Sequence, residues 1–291
     1  MKKSINIIGA GRAAQPIAAI LQHHPYYYMQ AVFSRSLNSA TDLAARIGAQ
    51  AVADIACLPK ADITLIGTPD AAIVETTLLL ARLPWIGGDT LFVHLSGSKT
   101  IGELEALAQR EAKVGSLHPV FAFADVAQSI RTLSGSLCAL EPDENSLPDL
   151  EALAGALGLR SFVIASAQKA RYHASLSAAA NFSVALADFA QKLLASTQIP
   201  IAMQRELVAS LMQQNAGNLM EQAPIDALTG PIVRGDAATV AMHLAATSAD
   251  EQAVYRAWAM ETLHLARPRL SEEAYQAVYV ELNSITTQDE F

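Results

Sequence analysis

The chain has 291 residues, a formal charge of −8, 52% hydrophobic residues and 16% charged ones. So much apolar material excludes a disordered chain, and an acidic balance without a Lys/Arg cluster excludes a nucleic-acid partner. The length suits two domains better than one core.

Cys57 and Cys138 are the only cysteines, at a spacing that fits neither a metal site nor a disulfide framework. A reducing cytoplasm is therefore expected, and no metal. The opening MKKSINIIGAG has an apolar run too short for a signal peptide, and no apolar span is long enough to cross a bilayer, so no membrane partner is expected.

In chain order, short β-branched runs alternate with Ala/Leu-rich segments as far as residue 165, the pattern of βαβ units. Strands are expected at 5–8, 31–33, 63–66, 90–95, 113–117 and 161–164, with helices at 16–22, 39–47, 71–81 and 101–109. Right-handed crossovers wind such units into a doubly wound, Rossmann-type parallel sheet. Beyond residue 167 the strand signals stop, and helices are expected at 168–196, 203–222, 236–248, 250–266 and 271–284. The expected division is an α/β domain at 1–166 and an all-α domain at 167–291.

The first strand runs into Gly9-Ala10-Gly11-Arg12-Ala13-Ala14 and then a helix. In a Gly-x-Gly-x-x-Ala turn the first Gly makes the bend, the second lets backbone approach a pyrophosphate, and the small third residue packs helix on strand. A dinucleotide site is the functional reading; a tight strand-to-helix turn is the structural one. The second strand ends in Ser34-Arg35-Ser36, with no acid to receive a ribose 2′-hydroxyl. Arginine matches a 2′-phosphate, so NADP(H) is expected over NAD(H), the alternative being a solvated arginine.

Ligands of an open parallel sheet lie beyond the carboxyl ends of its strands. Those ends here carry Gly67-Thr68-Pro69-Asp70, Ser96-Gly97-Ser98 and His118-Pro119. Thr68, Pro69 and Ser96 are candidates for the nicotinamide end, although Asp70 could equally make the turn a helix entry. His118 could supply a proton near neutral pH, or be a core histidine satisfied by one hydrogen bond. On the first helix of the second half Lys169, His173, Ser177 and Asn181 fall at steps of four, either a solvated stripe or a functional face with His173 and Asn181 in it. In LTGPIVRGD, 228–236, Asp236 suits a helix cap and Arg234 could hold a substrate carboxylate. No constellation surrounds His243, His264 or the tryptophans.

With these residues the chain resembles the NADP-dependent reductases that join a Rossmann domain to a 6-phosphogluconate-dehydrogenase-like helical domain. Ketopantoate reductase, pyrroline-5-carboxylate reductase, prephenate dehydrogenase and the β-hydroxyacid dehydrogenases are of this kind. Within that group it resembles a bacterial family with a Rossmann-like N-terminal domain and a C-terminal domain of unknown function, through GAGR at 9–12, GSLHP at 115–119, YHASLSAAANF at 172–182 and LTGPIVRGD at 228–236. One departure stands out: β-hydroxyacid dehydrogenases carry a catalytic Lys four residues before an Asn on the first helix of the second domain, and Ser177 occupies that place before Asn181.

The resemblance implies an NADPH-dependent oxidoreductase that passes hydride to the C=O or C=N carbon of a small carboxylated metabolite lying between the domains. It also implies a homodimer formed through the helical domain. In that reading 9–14 hold pyrophosphate, Ser34, Arg35 and Ser36 the 2′-phosphate, His118 or His173 donates the proton, Asn181 orients the substrate and Arg234 binds its carboxylate. The missing lysine leaves a second reading open, a non-catalytic NADP(H)-binding regulator.

Overall fold

A computed structural model describes residues 2–284. Their division into compact units falls between Phe182 and Ser183, beyond the point near 166 where the strand signals end.

The first unit is built on β1 (Lys3–Ile8), β2 (Tyr27–Phe33), β3 (Gln50–Val52), β4 (Ile63–Ile66), β5 (Leu91–His94), β6 (Lys113–Pro119), β7 (Leu137–Pro142) and β8 (Arg160–Val163). They form one sheet in the order β3-β2-β1-β4-β5-β6-β7-β8. Six strands are parallel to their neighbours in succession; β7 runs antiparallel to β6, and β8 parallel to β7. The chain winds outward from β1 to β3, then crosses back to place β4 on the other side of β1. That reversal puts a crevice at the carboxyl ends of β1 and β4.

Two strands escape the sequence reading. β3 has three residues, too few for a period to show. In β7 the apolar run is Leu137-Cys138-Ala139-Leu140, and so short a run does not distinguish strand from loop. Its pairing with β6 is antiparallel, so the doubly wound sheet expected from the sequence is parallel from β3 to β6 and reversed at β7 and β8.

The helices of this unit are α1 (Ala14–Leu21), α2 (Leu37–Ile47), α3 (Ile73–Leu80), α4 (Glu105–Ala108), α5 (Val126–Thr132), α6 (Leu147–Ala156) and α7 (Lys169–Ser177), followed by a π-helical turn at Ala178–Phe182. The central strands are buried on both faces with a period of two, one face apolar and the other mixing Ile8, Ile66 and Phe92 with the buried polar Asn6, Thr64 and His94. Ile5, Ile7, Ile63, Leu65, Leu91 and Val93 meet α1, α2 and α6 in one core layer. Ile8, Ile66, Phe92 and Val114 meet α3 and α4 in the other. Such packing gives the strand ends one fixed geometry.

The second unit contains α8 (Ser183–Leu194), α9 (Ile201–Glu221), α10 (Pro224–Ala227), α11 (Ala237–Ala245), α12 (Ala249–Ala266) and α13 (Glu272–Asn283). Its core is small: Val240 and Leu244 of α11, Ala259 and Leu263 of α12, Val278 and Leu282 of α13, and Ile232. Asp236 caps α11, its carboxylate accepting from the Thr239 amide at 3.0 Å. The α12 start is a capping box between Ser248 and Glu251.

Candidate functional site

At the crevice beside β1, Gly9 has φ +93°, and a β-carbon there would lie 2.7 Å from the Gly67 carbonyl oxygen. Only glycine suits both conditions. A β-carbon on Gly67 would in turn lie 2.7 Å from the Ala14 β-carbon. The small residue ending the Gly-x-Gly-x-x-Ala turn is thus small because α1 starts directly against the end of β4. α1 has no side-chain cap and no acid in its first turn, which leaves its amide groups unclaimed by side chains.

A cavity of about 290 Å³ opens here, lined among others by Gly9, Gly11, Ser34, Arg35, Thr68 and Pro69. The sequence reading had placed all six around one cofactor. Arg35 is exposed. The Thr68 hydroxyl is buried with no hydrogen-bond partner among the described residues. A pyrophosphate-bearing dinucleotide fits this donor set: a glycine cradle, a helix N-terminus, a guanidinium and an orphaned hydroxyl. Glu75 also lines the cavity, a carboxylate the sequence reading did not foresee.

The other expected cofactor residues stand differently. Ala13 is the α1 N-cap position, and Ala14 is buried against Gly67. Arg12 is exposed. Ser36 is the N-cap of α2, its hydroxyl accepting from the Ser39 amide at 3.3 Å. Ser96 is buried, and its hydroxyl donates to Asp70 Oδ2 at 2.8 Å, as does the Ser98 hydroxyl at 2.7 Å.

A second cavity, of about 370 Å³, is lined by His118, Phe121, His173, Ser177 and Asn181 with small and aliphatic neighbours. It brings together the three residues singled out as catalytic candidates. The π-helical turn that carries Asn181 belongs to this wall, and such turns recur at functional sites. His118 Nδ1 and the Tyr172 hydroxyl are 2.9 Å apart, and the His118 and His173 ring centroids 6.3 Å. Burial first, then the charges of Lys169 and His173, push the His118 pKa down to about 4 against the pull of Asp70. His118 is therefore a neutral imidazole at neutral pH, buried and hydrogen-bonded at Nδ1 while it lines the second cavity.

Behind it lies a buried charged pair. The Lys169 side chain is 1% exposed and Glu141 is 3% exposed, with Nζ and Oε2 2.9 Å apart. Lys169 also donates to the Ser116 hydroxyl at 2.7 Å and the Ser96 carbonyl at 3.2 Å. Glu141 Oε1 accepts from the Ser166 hydroxyl at 2.6 Å and the Ile101 amide at 3.0 Å. Desolvation lowers the lysine pKa, opposed by Glu141. The sequence puts Lys169 on a polar stripe and Tyr172 in the YHASLSAAANF motif without a role; Glu141 has no local signal, because only the pairing of β7 brings it to the site.

Arg234 lies in a 3₁₀ turn, Ile232–Arg234, of the second unit. Among the described residues no group of His, Cys, Asp and Glu is placed to hold a metal ion, and no helix is long and apolar enough to cross a membrane.

Residues 136–262 match the family model described as "Domain of unknown function (DUF2520)". No curated protein matches the chain. Among solved structures, a candidate NADP oxidoreductase from Bacteroides fragilis is similar with a TM-score of 0.73 and 23% identity over 91% of this chain and 98% of that one. The reductive aminase of Aspergillus terreus in complex with NADPH and ethyl-5-oxohexanoate scores 0.66, with 14% identity over 96% of this chain and 100% of that one. A pyrroline-5-carboxylate reductase of Coxiella burnetii scores 0.60, with 17% identity over 98% and 100%. The chain thus combines a DUF2520 segment at 136–262 with the Rossmann-type fold and helical second half that these reductases share.

Proposed function

We propose that the protein is an NADPH-dependent oxidoreductase acting on a small carbonyl or imine compound. The observation that carries this reading is the cavity at the β1/β4 crevice, where Gly9, Gly11, Ser34, Arg35, Thr68 and Pro69 meet. Bound NADPH supplies the hydride. The glycine turn and the α1 amides hold its pyrophosphate, Arg35 with Ser34 holds the 2′-phosphate, and the free Thr68 hydroxyl serves as a further donor.

In the second cavity His118 polarises the acceptor by hydrogen bonding, and Asn181 and Ser177 orient it. A neutral imidazole contributes as a donor at the developing charge rather than as an imidazolium. The nearby His173 is the candidate for moving a proton. Arg234 is retained as the candidate for a substrate carboxylate. We further propose a homodimer through the helical unit, where α8 buries no residue and α9 exposes Met203, Leu207 and Leu211 at steps of four.

Turnover tests the reading. NADPH consumption is followed across oxo and imino acids, and the active compound is then tried with His118→Gln, His173→Ala and Asn181→Ala. Loss of roughly 10²-fold or more in kcat for at least one variant is expected. NADPH binding without turnover on any such compound favours the non-catalytic regulator.

A further inference from the structure

Three segments converge on one imidazole. Ser116 and His118 are two residues apart on β6 and so share a face. Gly97, after β5, is so close to the His118 ring that a β-carbon there would lie 2.5 Å from His118 Cε1. Tyr172, three residues after Lys169 and on the same side of α7, meets His118 Nδ1 at 2.9 Å. Lys169 joins all three: it donates to Ser116 on the strand, to the Ser96 carbonyl beside Gly97, and carries Tyr172 on its own helix.

We infer that Lys169, balanced by Glu141, is the positioning residue for His118, fixing the strand beneath the ring, the loop against its face and the helix bearing its Nδ1 partner. The inference rests on the role given to His118 above. Packing alone is a poor account of the pair, since a buried ion pair commonly stabilises no better than apolar side chains of its volume. A Tyr172 hydroxyl that donates to Nδ1 leaves the proton of the neutral ring on Nε2, which has no protein partner among the described residues. The charged or titratable groups facing His118 are Lys169, Tyr172 and His173 from α7 and Asp70 from the turn after β4. Burial pushes Tyr172 up to about 12, so it carries no charge at neutral pH. Lys169 is then the strongest cation against the ring.

The test needs no substrate. Histidine-labelled protein is titrated by NMR, with the His118 signal assigned by its loss in His118→Gln. Wild-type protein should show neutral His118 protonated on Nε2 at neutral pH. Lys169→Met/Glu141→Gln, which removes both buried charges, should raise the His118 midpoint by about one pH unit or more. Tyr172→Phe, which leaves the buried pair alone, should let both neutral tautomers appear. An imidazolium or an Nδ1-protonated ring in the wild type overturns the inference, as does an unchanged midpoint in the folded double variant. NADPH binding is measured alongside: if it is absent while His118 behaves as described, the functional reading fails and the positioning role stands.

Discussion

Gly9 and Gly67 meet backbone to backbone, the Gly67 carbonyl oxygen lying only 2.7 Å from where a Gly9 β-carbon would be. Gly9 follows β1 and Gly67 follows β4, so this contact joins the two strands between which the fold changes direction. Gly9→Ala is expected to cost about 2 kcal/mol or more, combining a positive φ with a clash against rigid backbone. Urea unfolding measures that cost, and NADPH stabilisation should disappear with it.

Arg35→Ala isolates the cofactor choice. The side chain is exposed and touches no partner among the described residues, so stability should change by less than about 0.5 kcal/mol. Losing a charge-assisted contact to the 2′-phosphate should weaken NADPH binding roughly 10- to 100-fold. Titration calorimetry with NADPH and NADH checks this: an equal change for both cofactors contradicts the specificity assigned to Arg35.

His94 couples stability to pH. It is fully buried, with Nδ1 accepting from the Ser96 amide at 3.2 Å and Nε2 lying 3.2 Å from the Thr100 carbonyl. Burial and then the charge of Lys169 push its pKa down from 6.5 to about 4. Between those values the unfolded chain takes up a proton that the folded one refuses, so stability present above 6.5 is lost as pH falls toward 4. The His94 contribution is roughly 3 kcal/mol. Unfolding free energies measured from about pH 7.5 down to about pH 5 should fall, and His94→Gln should flatten the decline.

The buried pair predicts an asymmetry. Lys169→Met alone strands the Glu141 carboxylate in the interior and should cost about 3–5 kcal/mol. Lys169→Met/Glu141→Leu removes both charges and should recover most of that loss. Denaturant midpoints of the three proteins decide it, and equal losses in single and double variants would place the cost in packing.

The apolar stripe on α9 predicts self-association. Light scattering should give twice the 30.9 kDa chain mass. Met203→Glu/Leu211→Glu should give monomers that remain folded by circular dichroism, since both side chains are more than half exposed in the single chain.

What sequence revealed depended on range. The Gly9–Ala14 turn, the apolar cores of β1, β4 and β5, and the long helices are local signals of period and turn chemistry, and the structure agrees with them. The joint lining of one cavity by Gly9, Arg35 and Thr68 followed from a topological rule. The charge state of His118 was not legible, because it is set first by burial and then by Lys169, fifty-one residues on. Glu141 was invisible for the same reason: β7 has no β-branched residue to signal a strand, and its antiparallel pairing sets Glu141 opposite Ser116, where Lys169 also reaches.

The central claim is tested most directly by thermal unfolding of the purified protein with saturating NADPH, NADH or neither. At a hundred times its dissociation constant NADPH should stabilise by about 2.7 kcal/mol, a rise of roughly 4 °C for a chain of this length, with a smaller effect from NADH at the same concentration. No shift with either would contradict a dinucleotide site and leave Gly9–Ala14 as a turn that only joins β1 to α1.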